Sequence, residues 1–299
     1  MNKLKREVLF MKLGVFSILP DVESDPAIVA RHAESLGFSS YWVPDHIILP
    51  VKYDTKYPGN IDGGPDPDYL WKMPDPLVTL MRAATATSQI EIGTAVMLIP
   101  ERNPIHLAKE VASLDHFSNG RFNLGIGAGW NKEESEIMGG DFKKRWRQTK
   151  EYIEIMKRCW IDNESSYSGD YLSFPPIKCF PKPAQSPYPP IFLPSIMIGG
   201  EWSKLVFKRI AEWADGWLPV IKEINQLKSG LDQIEKYYEK FERVNDCRVK
   251  ILGAEGQWRT KKEIDDFRKL GVEEVIIWLK GQNSDQILKE LDMLSGDLF

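Results

Sequence analysis

The residues from 90 to 130 constrain the fold more than any other stretch, because they have the pattern of a strand, a helix and a second strand. The apolar run 90–96 is followed by Pro104, and proline suits the first turn of a helix, where its missing N–H needs no partner. The helix carries its apolar residues mainly on one face and is followed by a second apolar run, 122–126, which ends in the small residues Gly127-Ala128-Gly129. Two apolar strands joined by a helix of this length predict one parallel βαβ unit.

The same alternation of apolar runs and helical segments continues along the rest of the chain. Six further strands are predicted, nearly all followed by a helix, at residues 12–18, 40–43, 191–198, 216–220, 248–253 and 274–279. Eight such units predict an α/β fold, a closed (β/α)8 TIM barrel over residues 12–299, with an N-terminal extension over residues 1–11. Insertions are predicted after strand 2 and between strands 4 and 5. A doubly wound open sheet is the alternative, but no Gly-x-Gly-x-x-Gly turn follows the first strand.

The second insertion has a distinct pattern. A hairpin is predicted around Gly169, with its second arm ending at Phe174. The residues 175–190 are rich in proline, so neither a helix nor a strand is expected there. The barrel pattern then resumes, and a helix is predicted over residues 202–213.

Composition excludes several classes of function. The 299 residues carry a net charge of −4, with both signs spread along the chain, so no nucleic-acid partner is expected. Four histidines and three well-separated cysteines disfavour a metal site and a disulfide framework, and favour a reducing cytoplasm. No apolar run approaches the ~18 residues that a membrane span needs, so no membrane partner is expected.

Active sites of such barrels lie at the carboxyl ends of the strands, and this rule selects four segments. They are Asp45-His46, 93–96, 127–130 and Gly199-Gly200. Each has a structural alternative, since an isolated histidine more often satisfies a loop carbonyl and a pair of glycines often only turns the chain. Two glycine amides before a helix would suit a phosphate group.

Taken together, the motifs in these segments resemble the bacterial luciferase-like monooxygenase superfamily. In chain order they are Trp42-x-x-Asp45-His46, Ile92-Gly93-Thr94-x-Val96, Arg102-Asn103-Pro104, Leu114-Asp115-x-x-Ser118-x-Gly120-Arg121-Phe122 and Gly125-x-Gly127-x-Gly129-Trp130-x-x-Glu133-Glu134. The resemblance covers essentially the whole chain and is greatest to the short subgroup that uses the deazaflavin coenzyme F-420. It implies a (β/α)8 barrel, often a homodimer, that transfers a hydride between this coenzyme and a small organic substrate.

The resemblance also implies roles for individual residues. His46 matches the histidine beside the deazaflavin ring and is the predicted catalytic residue. A cis peptide bond is implied between Ala95 and Val96, behind the ring. The predicted cofactor-binding residues, around the ring and its phosphate, are Asp45, Thr94, Ala95, Val96, Asn103, Gly127, Ala128, Gly129, Trp130, Ile198, Gly199 and Gly200.

Two other functions stay open on the sequence alone. The same fold binds FMN in monooxygenases that take electrons from a partner flavin reductase and activate oxygen. A barrel that binds flavin without turning it over is the second alternative. The chain length favours the F-420 subgroup, because the FMN users frequently have larger insertions.

Overall fold

The structure is a computed structural model that describes residues 11–59, 65–197, 200–244 and 247–299. Its strands are Lys12–Phe16 (β1), Ser40–Val43 (β2), Glu91–Leu98 (β3), Phe122–Gly127 (β4), Ser165–Ser168 (β5), Ser173–Ile177 (β6), Ile191–Ile196 (β7), Gly216–Ile221 (β8), Arg248–Gly253 (β9) and Glu274–Trp278 (β10). Its α-helices are Pro26–Ser35 (α1), Pro76–Thr85 (α2), Pro104–Phe117 (α3), Lys132–Ile137 (α4), Arg145–Ile161 (α5), Lys204–Trp213 (α6), Ile224–Lys240 (α7), Lys261–Arg268 (α8) and Ser284–Leu298 (α9). The predicted N-terminal extension, apart from Met11, lies outside the described residues.

Eight of these strands close into a parallel barrel in the order β1-β10-β9-β8-β7-β4-β3-β2. The closing pair is β1 with β10, in which Lys12 lies opposite Glu274 and Phe16 opposite Trp278. Closure leaves no barrel strand with a free edge. The predicted barrel is therefore confirmed, and the open doubly wound sheet is excluded.

The helices that cover the barrel begin at a repeated local signal. An Asp or Asn precedes a proline at the start of α1, α2 and α3, and the caps are Asp25, Asp75 and Asn103. Each cap side chain accepts a hydrogen bond from a backbone N–H of the first turn, and the shortest such bond measures 2.9 Å at Asp25, 2.9 Å at Asp75 and 3.0 Å at Asn103. This satisfies N–H groups that have no partner inside the helix. No helix in the described parts of the chain combines the length and apolarity needed to cross a bilayer.

The insertion between β4 and β7 contains the hairpin of β5 and β6, which pair antiparallel. The prediction that its second arm ends at Phe174 is wrong, because β6 continues through Pro175 and Pro176 to Ile177. Proline is tolerated here since an edge strand needs backbone partners on one side only. The prediction of helix 202–213 is also corrected at its start, because α6 begins at Lys204.

The two ends of the barrel interior differ in polarity. Phe16, Trp42, Phe192, Leu218 and Ile276 form an apolar cluster inside the barrel, with Ile18, Ala95, Val96, Leu252 and Trp278 partly exposed around it. Most of these half-exposed residues lie at or near the carboxyl ends of the strands. That end therefore has an apolar floor.

The amino end of the barrel is closed by a network of charged groups. Lys250 is fully buried and its Nζ lies 2.7 Å from Glu274, 3.0 Å from Glu91 and 3.6 Å from Glu273. Glu91 also accepts from Lys12 at 2.5 Å. A buried charge is costly unless it is paired, so the network accounts for how these groups can lie inside the barrel.

Candidate active site

The carboxyl end of β3 is irregular where it pairs with β4. The register of the pairing shifts between Thr94 and Met97. The peptide bond between Ala95 and Val96, inside this shift, is cis, so that prediction is confirmed. Ala95 and Val96 are half-buried, whereas their neighbours on both sides in the strand are buried. The bulge therefore presents a small apolar surface at the barrel mouth.

Two polar groups hold this strand end in place. The Thr94 hydroxyl donates to the Gly125 carbonyl at 2.7 Å, and the Leu98 amide donates to Asp45 Oδ2 at 2.9 Å. Asp45 Oδ1 accepts from Arg102 Nη2 at 3.0 Å. Burial raises the pKa of Asp45 to about 6, although Arg102 and the Leu98 amide act in the opposite direction. Asp45 and Thr94 were both predicted to contact the cofactor, and their observed hydrogen bonds hold the backbone on either side of the bulge.

The segment that follows β4 needs glycine at two positions. A side-chain carbon at Gly127 would lie 2.8 Å from Cγ2 of Val96, and one at Gly129 would lie 2.8 Å from Oε1 of Glu101. Gly129 also has a φ of 80°, which L side chains rarely adopt. Ala128 between them is buried. The structure therefore places the predicted segment 127–129 directly beside the bulge.

His46 is held by two hydrogen bonds that define its tautomer. Trp130 Nε1 lies 3.0 Å from His46 Nε2, and an indole N–H can only donate, so Nε2 accepts. The other ring nitrogen, Nδ1, lies 2.7 Å from Glu134 Oε2, which makes Nδ1–H the donor to a carboxylate. His46 is therefore assigned as the neutral Nδ1–H tautomer, with the Nε2 lone pair directed at Trp130.

Glu134 is the residue that orients His46. Its side chain is 1% exposed, and its Oε1 accepts from the backbone N–H groups of Ile47 and Ile48 at 3.1 and 3.4 Å. It lies in the first turn of α4, where Asn131 caps the helix by accepting from the Glu134 amide at 2.9 Å. A short helix thus brings a carboxylate to the segment that follows β2.

Aromatic side chains surround this pair. The Trp130 ring contacts the rings of His46, Tyr53 and Tyr57, with centroids 5.6, 6.1 and 5.2 Å apart. Farther round the mouth, Tyr69 contacts Trp278 edge-on at 6.4 Å. Trp130, predicted to line the ring pocket, is thus half-buried under the insertion that follows β2.

A second carboxyl group, that of Glu101, lies beside Glu134. Glu101 is 3% exposed, and neither of its oxygens has a hydrogen-bond partner among the described residues. Burial, and next the carboxylates of Glu134 and Asp45, raise the pKa of Glu101 to about 9. Burial and the neighbouring carboxyl groups thus favour the neutral form of Glu101, which carries a proton.

The remaining predicted residues lie apart from this group. Asn103 is exposed, and its side-chain oxygen is occupied as the cap of α3. Gly200 has a φ of 82°, with open space where a side chain would be. Because α6 begins at Lys204, Gly200 does not directly precede a helix as expected. Trp202 lies between them, and its indole donates to the Gln226 carbonyl at 3.1 Å. Ile198 and Gly199 fall outside the described residues.

The interpretation of the sequence missed the two glutamates. Glu134 was part of the matching motif, but a glutamate in the first turn of a helix is also typical of ordinary capping. Glu101 follows a proline in an apolar segment, and nothing in its local sequence indicates burial next to another carboxyl group. Only the pairing of β2, β3 and β4 brings these residues together.

The fold and the site together define a class of protein, a (β/α)8 barrel with an apolar mouth and a histidine–carboxylate pair that joins the segments following β2 and β4. The family model for luciferase-like monooxygenases matches residues 26–254. The chain belongs to the luciferase-like monooxygenase family.

Two relatives indicate the range of the family around this chain. An uncharacterized protein of Mycobacterium tuberculosis is 31% identical over 288 residues, which are 96% of this chain and 99% of the relative. The F-420-dependent glucose-6-phosphate dehydrogenase of Amycolatopsis mediterranei is 28% identical over 233 residues, 74% of this chain and 63% of the relative.

Solved structures share the fold at 18% identity. The monooxygenase RslO1 of Streptomyces bottropensis has a TM-score of 0.74, over 96% of this chain and 98% of its own. An F-420-dependent secondary alcohol dehydrogenase in complex with an F-420–acetone adduct has a TM-score of 0.72, over 97% and 98%. The oxygenating constituent of 3,6-diketocamphane monooxygenase of Pseudomonas putida, in complex with FMN, has a TM-score of 0.64, over 86% and 71%.

Proposed function

We propose that the protein is an F-420-dependent oxidoreductase that transfers a hydride between the deazaflavin and a small organic substrate. The observation that carries the proposal is His46 in its Nδ1–H tautomer, backed by the buried carboxylate of Glu134. The same arrangement, a histidine oriented by a carboxylate, is used by hydrolases to accept a proton from a hydroxyl group. Oxidation of an alcohol by hydride transfer requires that proton to be accepted.

The described residues fit a flat, largely apolar ring. Ala95 and Val96 form a half-buried surface at the mouth, with Phe16, Leu218 and Ile276 in the apolar cluster below. When bound there, a deazaflavin supplies the acceptor or the donor for a hydride. Ala95, Val96 and the segment 127–129 would hold the ring, and Gly200 leaves space for its phosphate chain.

His46 would supply the acid–base chemistry. The Nε2 lone pair now accepts from the Trp130 indole, and a substrate hydroxyl that replaced this donor could transfer its proton to Nε2. The Glu134 carboxylate, 2.7 Å from Nδ1, would stabilise the imidazolium that forms. In the reverse direction the same nitrogen would protonate a substrate oxygen.

FMN is the second candidate cofactor, because the FMN-containing neighbour has the same fold. The two are separated by titrating the purified protein with F-420 and, separately, with FMN, while following cofactor fluorescence. We expect F-420 to bind at least tenfold more tightly, which corresponds to about 1.4 kcal/mol. Preferential binding of FMN would instead favour a monooxygenase with a partner flavin reductase. Binding without turnover of any substrate would favour a non-catalytic barrel.

Turnover is then sought with primary and secondary alcohols and with sugar phosphates, by following the absorbance of F-420. With any substrate found, His46→Ala is expected to reduce turnover by roughly 10²-fold or more. The affinity for F-420 should change little. We further propose that the protein acts as a cytoplasmic homodimer, which sedimentation of the purified protein tests for the oligomeric state.

A further inference from the structure

Glu101 has no part in the chemistry described above, although it is the least satisfied polar group near His46. Its carboxyl group is 3% exposed and makes no hydrogen bond in the described part of the chain. An unpaired carboxyl group in such a place costs free energy, and its charged form costs far more than its neutral form. In its neutral form Glu101 can donate a hydrogen bond to the neighbouring carboxylate of Glu134.

Glu101 also borders a cavity at the protein surface. It lines a cavity of about 230 Å³ together with Asn103, His106 and Glu110 of the α3 segment. The His106 side chain is 74% exposed and that of Glu110 is 42% exposed, so the cavity reaches solvent at this side. A cavity of this size has room for several water molecules. On its inner side, Glu101 is adjacent to Glu134, and Glu134 Oε2 lies 2.7 Å from His46 Nδ1.

We propose that Glu101 is a positioning residue for proton transfer, which connects His46 to solvent in this cavity through Glu134. The use of this route in turnover rests on the proposed function. When a substrate hydroxyl transfers its proton to His46 Nε2, the Nδ1 proton moves to Glu134. Glu101 takes that proton and releases its own to water in the cavity.

This route matters because the other side of the imidazole faces the barrel mouth. Cofactor and substrate would cover that side during turnover and exclude water from it. The charge that forms on His46 could still be neutralised through Glu134 and Glu101. After product release, the reverse transfers return a proton from the cavity through Glu101 and Glu134 to Nδ1, and Nε2 then loses its proton to water at the mouth, which restores the neutral Nδ1–H tautomer.

The route can be tested without cofactor or substrate. The chain has four histidines, so ¹⁵N-histidine labelling gives a spectrum in which His46 can be assigned with the His46→Ala variant. The quantity measured is the rate at which the His46 Nδ1 proton exchanges with solvent at pH 7. Glu134 is 1% exposed, so this proton has no direct path to water through its acceptor.

Two variants remove the titrating group at position 101. Glu101→Gln keeps the shape, and Glu101→Met has similar volume without a buried polar group, so it should fold even if the first does not. Both are expected to slow the exchange at least tenfold. Glu101→Asp, which retains a carboxyl group, should recover part of the rate. Glu136→Gln is the matched control, since Glu136 is an exposed residue of the same helix as Glu134 and should leave the rate unchanged.

Exchange in Glu101→Gln and Glu101→Met that stays within twofold of the wild-type rate would overturn the inference. So would an Nε2–H tautomer for His46 in the wild-type protein. Thermal melting of each variant checks that the fold is intact. Failure to bind F-420 would refute the proposed function and leave the exchange result standing, because the exchange is measured in the cofactor-free protein.

Discussion

Replacing Glu134 by glutamine should reverse the tautomer of His46. Glu134 Oε1 accepts from two backbone N–H groups, those of Ile47 and Ile48, whereas Oε2 accepts from one, His46 Nδ1–H. A glutamine has one acceptor oxygen and one NH2 donor. The arrangement that keeps more bonds directs the amide oxygen at Ile47 and Ile48. The NH2 group then faces Nδ1, which must accept, so the proton moves to Nε2.

The new tautomer conflicts with Trp130. Its indole N–H lies 3.0 Å from Nε2, and two N–H groups would then face each other. One hydrogen bond is lost and one donor is left unpaired, at a cost of about 1–3 kcal/mol. Unfolding entropy is about 2.1 cal/mol/K per residue, so for 299 residues the melting temperature should fall by roughly 2–5 °C.

The assay is ¹⁵N-histidine NMR, in which protonated and unprotonated ring nitrogens have well-separated shifts. We expect Nδ1–H in the wild-type protein and Nε2–H in Glu134→Gln. With an active substrate, the variant should lose at least about 10²-fold in turnover, because Nε2 no longer carries a lone pair. Glu136→Gln, an exposed carboxylate on the same helix, should match the wild type in tautomer, melting and turnover. An unchanged Nδ1–H tautomer in Glu134→Gln would refute the reasoning about donors and acceptors at this site.

Three further predictions concern the barrel ends. Lys250→Met leaves buried carboxylates without their cation and should destabilise the protein by about 3–5 kcal/mol at pH 7. Lys12→Met, which removes a half-exposed ion pair, should cost about 1 kcal/mol or less. Equal melting temperatures for the two variants would contradict this prediction. Burial raises the pKa of Glu91, but Lys250 and Lys12 outweigh it and lower this pKa to about 2. The ionised Glu91 therefore stabilises the fold at pH values above its ordinary pKa of 4.5, and this stabilisation should be lost as the pH falls towards 2. Acid-denaturation curves measure the loss. Ala95→Leu places a larger side chain on the half-buried bulge and should weaken F-420 binding at least tenfold, about 1.4 kcal/mol. Ala184→Leu, at an exposed position, should leave the affinity unchanged. Equal affinities of the two variants in fluorescence titrations would show that the ring does not bind at the bulge.

Local sequence was enough to predict the barrel and several of its parts. Strands that are buried on both faces are continuous apolar runs, and helices that cover them have one apolar face, so the alternation is visible residue by residue. The caps at Asp25, Asp75 and Asn103 also depend on neighbouring residues alone. Closure of β1 on β10 followed from the cost of leaving two edges of a parallel sheet unpaired. The position of His46 directly after a predicted barrel strand is sufficient to predict it as a site residue.

Only the tertiary structure decided which groups meet at the site. Glu134 lies 88 residues from its partner His46, and Lys250 lies 159 residues from its partner Glu91. Neither pairing can be predicted from the neighbouring residues, because glutamates in the first turn of a helix and lysines in strands are common in proteins without such partners. The start of α6 differs from the predicted residue 202 for the same reason, because the Trp202 indole donates a hydrogen bond to a carbonyl of α7, which is distant in the sequence. Local hydrogen bonding and periodicity determine the elements, whereas tautomers, buried charges and proton routes depend on distances between residues that only the closed barrel brings together.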